Sequence, residues 1–228
     1  MTNQPYRIAF LIYPDMTQLD FTGPAEVLAQ MPGTEIATIW TSTDPVRSEN
    51  GITFLPSTTI EDGIAYDMIC VPGGVACTDV MANQPVLNWL RAQGKTAGLI
   101  TSVCTGSLIL AAAGLLNGYR AASHWAWIDN LSKFGAIPVR ERVVIDRNRI
   151  TAGGVTAGID FGFHILAQRC GQDFAEAVQL GIEYDPAPIA GGVPETARPE
   201  TLALLNTFMA DSIKTRTVII DDIAAKYN

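Results

Sequence analysis

Read as a pattern of apolar and polar positions, the chain alternates short continuous apolar runs with segments of helical spacing. "RIAFLIYP" (7–14) is apolar at almost every position, the pattern of a strand buried on both faces. "GPAEVLAQM" then predicts a short helix with Thr22 as its N-cap and Pro24 at an early helical position. "EIATIWT" (35–41) predicts a second strand, and Asn50-Gly51 within "VRSENGITFLP" predicts a hairpin. "YDMICVPGG" (66–74) reads as a third buried strand ending in a glycine pair, and a helix over 85–93 leads to the strand "TAGLITSV". Beyond Cys104 the spacing turns helical until Gly114 and Asn117-Gly118 close it. "ERVVIDRNRITAGG" predicts a hairpin about 146–148, and "VTAGIDFGFHILAQRC" a helix that buries Ile159, Phe163, Ile165 and Leu166.

This alternation predicts the α/β class, with a mostly parallel sheet covered by helices on both faces. "YDPAPIAGGVPETARP" (184–199) reads as a surface connection rich in Pro and Gly. A final helical stretch over 199–227 is expected to pack on the same domain or on a second subunit. The organisation is one α/β domain, 1–198, with a C-terminal helical appendage, 199–228.

Composition narrows the partners. Of 228 residues, 48% are hydrophobic and 17% charged, enough apolar side chains for a sizeable core. The net charge of −8 repels phosphate backbones, so no nucleic-acid partner is expected. No apolar run is long enough to span a membrane, and the first apolar stretch is too short for a signal peptide, so a cytoplasmic location is the expectation. Four cysteines form no CxxC pair and only two histidines accompany them, which speaks against a metal cage.

Three segments bring unusual residues to the carboxyl edge of such a sheet, where ligands bind. Cys104 sits where a strand turns sharply into a helix, a context that presents a nucleophile. Amides at the helix start would stabilise its thiolate and lower its pKa. Cys70 and Cys170 read as packed thiols; Cys77, just past the glycine pair, could line the same pocket.

Asp20 stands between Leu19 and Phe21, an apolar setting that raises a carboxyl pKa. In acid form it could donate to the sulfur and pass a proton to substrate; otherwise it is a helix-capping carboxylate. Gly73 and Gly74, with the Thr105 amide, could form an anion-stabilising hole or an ordinary turn. His124, flanked by Trp125 and Trp127, is either a site-lining or a packed side chain, and His164 reads as structural. "AGGVTAG" lacks the spacing of a dinucleotide site.

"VPGG", "VCTGSLILAAAGLLNGYRAASHWAW" and "AGGVTAGIDF" together resemble the ThiJ/PfpI superfamily, whose members carry a cysteine on a nucleophile elbow. Within it, "QLDFTGPAEVLA", "TSVCTGSL" and "YDPAPIAGGVPETA" are similar to the isocyanide hydratases. The resemblance implies a flavodoxin-like sandwich, a homodimer, and no metal or organic cofactor. It also implies Cys104 as nucleophile, Asp20 as acid/base group and Thr105 as the polar neighbour. Thr105 stands where the superfamily's intracellular peptidases carry histidine, and Asp20 where its chaperone and deglycase relatives carry glutamate. The activity implied is hydration of a small apolar isocyanide to an N-substituted formamide through a cysteine thioimidate. The alternatives are a glyoxalase- or deglycase-like stress enzyme, or a sensing module related to AraC-type regulators. The latter needs basic recognition helices, and the residues after Pro199 carry no net positive charge.

Overall fold

The computed structural model describes residues 4–226, so Tyr227, at the end of the predicted last helix, lies outside them. In chain order the first elements are β1 (Tyr6–Leu11), α1 (Leu19–Leu28), β2 (Thr34–Trp40), β3 (Val46–Arg47), β4 (Thr53–Phe54) and β5 (Thr58–Thr59). Next come β6 (Met68–Val71), α2 (Cys77–Ala82), α3 (Gln84–Gln93), β7 (Leu99–Val103), α4 (Gly106–Ala112) and β8 (Arg120–Ala121). A 3₁₀ helix (Ile128–Phe134), β9 (Ile137–Pro138), β10 (Val143–Asp146), β11 (Arg149–Ala152), α5 (Ala157–Cys170), α6 (Gln172–Gly181) and α7 (Pro199–Ala224) complete the chain.

Among the described residues, seven strands form one sheet in the order β10-β11-β7-β6-β1-β2-β5, with only β10 antiparallel to its neighbour. Its centre is continuous hydrocarbon: β1 is sealed from Ile8 onward and β6 throughout, as expected of strands covered on both faces. Helices lie on both faces, α1 packing on α5 and α2 on α3 and α4. This is the flavodoxin-like α/β architecture. The hairpin predicted around Asn50-Gly51 forms between β3 and β4, with Gly51 at φ +91°.

Two local expectations change. The first helix begins at Leu19, so Thr22 lies inside it and its hydroxyl bonds back to Gln18. Pro24 is tolerated at the sixth helical position, where its ring packs against Gly158 of α5 at the close approach of the two helices. That approach also sets which face of α5 is covered. Phe161 and Gly162 turn inward with Ile165 and Leu166, while Ile159 and Phe163 are only half-buried.

The segment between α6 and α7 is exposed. Helix α7 lies against α2 and the 3₁₀ helix through Arg216, Ile220 and Ala224, while most of its first half is exposed. No helix among the described residues is long and apolar enough to cross a membrane.

Candidate active site

Parallel pairing of β1, β6 and β7 carries their C-terminal ends to one rim. The loop after β1 leads into Asp20, β6 runs into Gly73-Gly74, and β7 ends at Cys104. Cys104 has φ +56°, a left-handed conformation costing a non-glycine residue about 1–2 kcal/mol. Its backbone is tied down at every polar atom. The amide donates to Ala152 O (3.0 Å), and the carbonyl accepts from the Ser107 (3.1 Å) and Ser123 (3.2 Å) hydroxyls.

Gly106 makes the turn possible, because a Cβ there would lie 2.0 Å from the Val71 carbonyl oxygen. The start of α4 is thus wedged against the end of β6. Sequence reasoning passed over Gly106, although a glycine two residues beyond a presented cysteine was the available signal.

Asp20 is fully buried in the first turn of α1. Its Oδ2 accepts the Gly73 amide at 2.8 Å, while Oδ1 has no protein partner. Burial raises its pKa to about 8 against the opposing pull of that amide; the Glu49 charge adds to the rise and a hydrogen bond with Cys104 lowers it. Asp20 is therefore an acid at neutral pH, beside the sulfur.

The expectation of a thiol held ionised by a helix start is not met. Burial pushes the Cys104 thiol well above its ordinary value, an ionised Asp20 would push it the same way, and the Thr105 amide and hydroxyl only partly offset the rise. The physical reason is a sulfur in a residue only 6% exposed, above a helix of seven residues. The resting pair is thiol and carboxylic acid.

The glycine amides are also differently employed. Gly73 N–H serves Asp20, and Gly74 N–H donates to Thr105 Oγ1 at 3.1 Å. Both position side chains rather than standing free as an anion hole. Gly73 must be glycine, since a Cβ would fall 2.6 Å from the Thr105 nitrogen and hydroxyl oxygen. The buried Thr105 hydroxyl reaches the sulfurs of both Cys104 and Cys77. Cys70 is sealed in β6, where burial raises its pKa to about 12.

A cavity of about 290 Å³ opens above Cys104 and Thr105. His124 and Trp127 line it with Thr17, Glu49, Gly74, Val75 and Val155, and α7 contributes Met209, Ser212 and Arg216. His124 is thus a wall residue, and burial, with the Arg216 charge, lowers its pKa to about 4. Its Nδ1 accepts the Ala126 amide (3.3 Å), which leaves the ring proton on Nε2. A second cavity of about 500 Å³ shares His124 and Val155 with the first and has Trp125, Ile128, Val193 and Pro194 in its wall. His164 stays on the exposed side of α5, away from both.

Glu49, Trp127 and the α7 residues were not foreseen. For Arg216 a signal existed: it interrupts the stripe Ile213, Ile220, Ala224 along an amphipathic helix.

The chain is 46% identical over 223 residues to a Pseudomonas putida protein named isonitrile hydratase, spanning 97% of this chain and 98% of that one. It is 30% identical over 189 residues to an HTH-type transcriptional regulator of Pseudomonas aeruginosa, covering 79% of this chain but 51% of the regulator. Among solved structures, a ThiJ/PfpI family protein from Pseudomonas syringae superposes with a TM-score of 0.91 at 40% identity, over 96% of this chain and 90% of that one. The family model described as DJ-1/PfpI matches residues 6–168, from β1 through most of α5, and the chain belongs to the DJ-1/PfpI family.

Proposed function

We propose that this chain is an isocyanide hydratase, converting an isocyanide and water to an N-substituted formamide. One observation carries the reading: a buried carboxylic acid, Asp20, lies beside the Cys104 thiol, and that thiol faces an open cavity of about 290 Å³. It does so in a chain similar over nearly its whole length to an isonitrile hydratase.

The geometry supports the following sequence. The terminal carbon of the isocyanide enters the cavity and meets the sulfur, a soft nucleophile suited to an electrophile with little polarity. As the S–C bond forms, Asp20 gives its proton to that carbon and takes the thiol proton, leaving a neutral thioimidate and a re-protonated acid. Asp20 next protonates the thioimidate nitrogen and, as carboxylate, accepts a proton from the attacking water. The tetrahedral adduct then collapses: its hydroxyl proton passes through Asp20 to the leaving sulfur, and the formamide departs. Every proton and electron pair comes from the thiol, the carboxyl, the substrate and water. The Thr105 amide and hydroxyl support charge on sulfur while it attacks and leaves. The adjoining 500 Å³ cavity, walled by Trp125, Ile128 and Val193, suits an apolar N-substituent.

Two further statements belong to the proposal. Residues 1–198 act as one α/β domain, with 199–228 as a helical appendage seated on it. The protein acts as a homodimer, supported by the exposed apolar side chains Leu204, Leu205 and Phe208 on α7.

The test is turnover of an aryl isocyanide with formamide followed by mass spectrometry, beside a parallel assay on methylglyoxal. Formamide release that falls more than about 1,000-fold in Cys104→Ser is the expected result. Methylglyoxal consumption without any formamide would replace the hydratase reading with a glyoxalase one.

A further inference from the structure

Of the three amides first expected to bind an anion in the hydration half of the proposed reaction, Gly73 and Gly74 spend theirs on Asp20 and Thr105, and the Thr105 amide serves the Cys104 sulfur. The oxygen of a tetrahedral adduct gains negative charge as its proton leaves, and a donor fixed there in advance contributes heavily to rate.

Arg216 is placed for that task. It is 9% exposed and faces the cavity over Cys104 from α7, beyond the segment that the family model matches. Its guanidinium lies 4.3 Å from the Trp127 ring centre and donates to Val75 O at 3.1 Å. Among the described residues, its other four N–H donors have no hydrogen-bond partner and no carboxylate pairs with it. The acid that shares the cavity wall, Glu49, accepts from the Thr17 hydroxyl (2.8 Å) instead.

A buried guanidinium without a counter-ion is a cost. Seating α7 does not demand it, because Ile220 and Ala224 are buried and Lys133 forms an ion pair with Asp221.

We propose that Arg216 is a catalytic residue of the hydration step, its free N–H groups receiving the oxygen of the tetrahedral adduct on Cys104. The inference rests on the hydratase reading. It assigns Arg216 to the second half-reaction: thioimidate formation places no charge on oxygen, whereas its breakdown does.

The test is a single turnover of Arg216→Ala and Arg216→Lys with an aryl isocyanide, quenched in acid and read by intact-protein mass. The alanine variant should gain the mass of one isocyanide about as fast as wild type and lose it about 100-fold more slowly. Lysine should restore part of the rate, and guanidinium ion added to the alanine variant should speed the decay. Adduct decay within a few-fold of wild type, or slow decay that guanidinium leaves unchanged, would overturn the assignment. Should the alanine variant lose helix content, Arg216→Gln, which keeps an amide donor without the charge, carries the same comparison. Wild-type protein yielding no formamide would overturn the hydratase reading as well, so the two failures are told apart.

Discussion

In the proposed relay Asp20 and Cys104 act as one unit, because each bears on the other's proton. Burial holds the carboxyl in its acid form up to a pKa of about 8. The relay needs that acid, so kcat/KM should be level through neutrality and fall as pH rises past 8; a profile that climbs through pH 8–9 would contradict the relay. The same shift has a stability consequence of defined sign. The folded state keeps a proton that the unfolded chain releases near pH 4, so stability is full below that pH and declines as pH rises towards 8. Asp20→Asn keeps an acceptor for the Gly73 amide but carries no titrating proton. Its unfolding free energy should vary less between pH 4 and 8 than that of wild type, while its turnover drops by orders of magnitude. A wild-type slope in the variant would show that Asp20 is not the buried acid. From sequence, Asp20 was legible as a carboxyl in apolar surroundings, with Leu19 and Phe21 as the signal. The state of the thiol was not. A strand-to-helix turn discloses the dipole that favours a thiolate, but not the burial that outweighs it.

Elements were largely legible, since buried strands and hairpins leave marks within a few residues. β1, β6, β7 and the β10–β11 hairpin lie where the apolar runs and the Asp146–Asn148 turn predict. Errors arose where one element's boundary depends on another. α1 begins before Thr22, and α5 presents Phe161 rather than Phe163 inward, because Gly158 and Gly162 admit Pro24 and Val27 at close range. The elbow shows the same interdependence. With a Cβ only 2.0 Å from the Val71 carbonyl oxygen, Gly106→Ala must push α4 off β6. Denaturant unfolding should show a loss of about 3 kcal/mol, the upper end for overpacking, together with a larger loss of activity as Cys104 shifts. A variant with wild-type stability and turnover would mean that the elbow has slack.

At the scale of the whole molecule, the site is assembled from chain positions nearly 200 residues apart, from Thr17 to Arg216. The rim that unites Asp20, Gly73 and Cys104 follows from parallel topology, which the alternation of apolar runs and helical spacing discloses along the chain. The wall that α7 adds is marked only by the charge of Arg216 within an apolar stripe, because a helix's docking angle leaves no local trace in sequence. The same helix turns Leu204 and Phe208 outward, 58% and 75% exposed. If a second copy covers them, Phe208→Glu should shift the protein from dimer to monomer in light scattering, and an unchanged mass would place the interface elsewhere. The central claim, covalent attack by Cys104, is tested most directly by acid-quenching wild-type protein during turnover of an aryl isocyanide and mapping the mass gain. The account predicts an increment equal to one intact isocyanide on the Cys104 peptide alone; formamide production with that peptide unmodified under saturating substrate, and with undiminished turnover in Cys104→Ser, would contradict it.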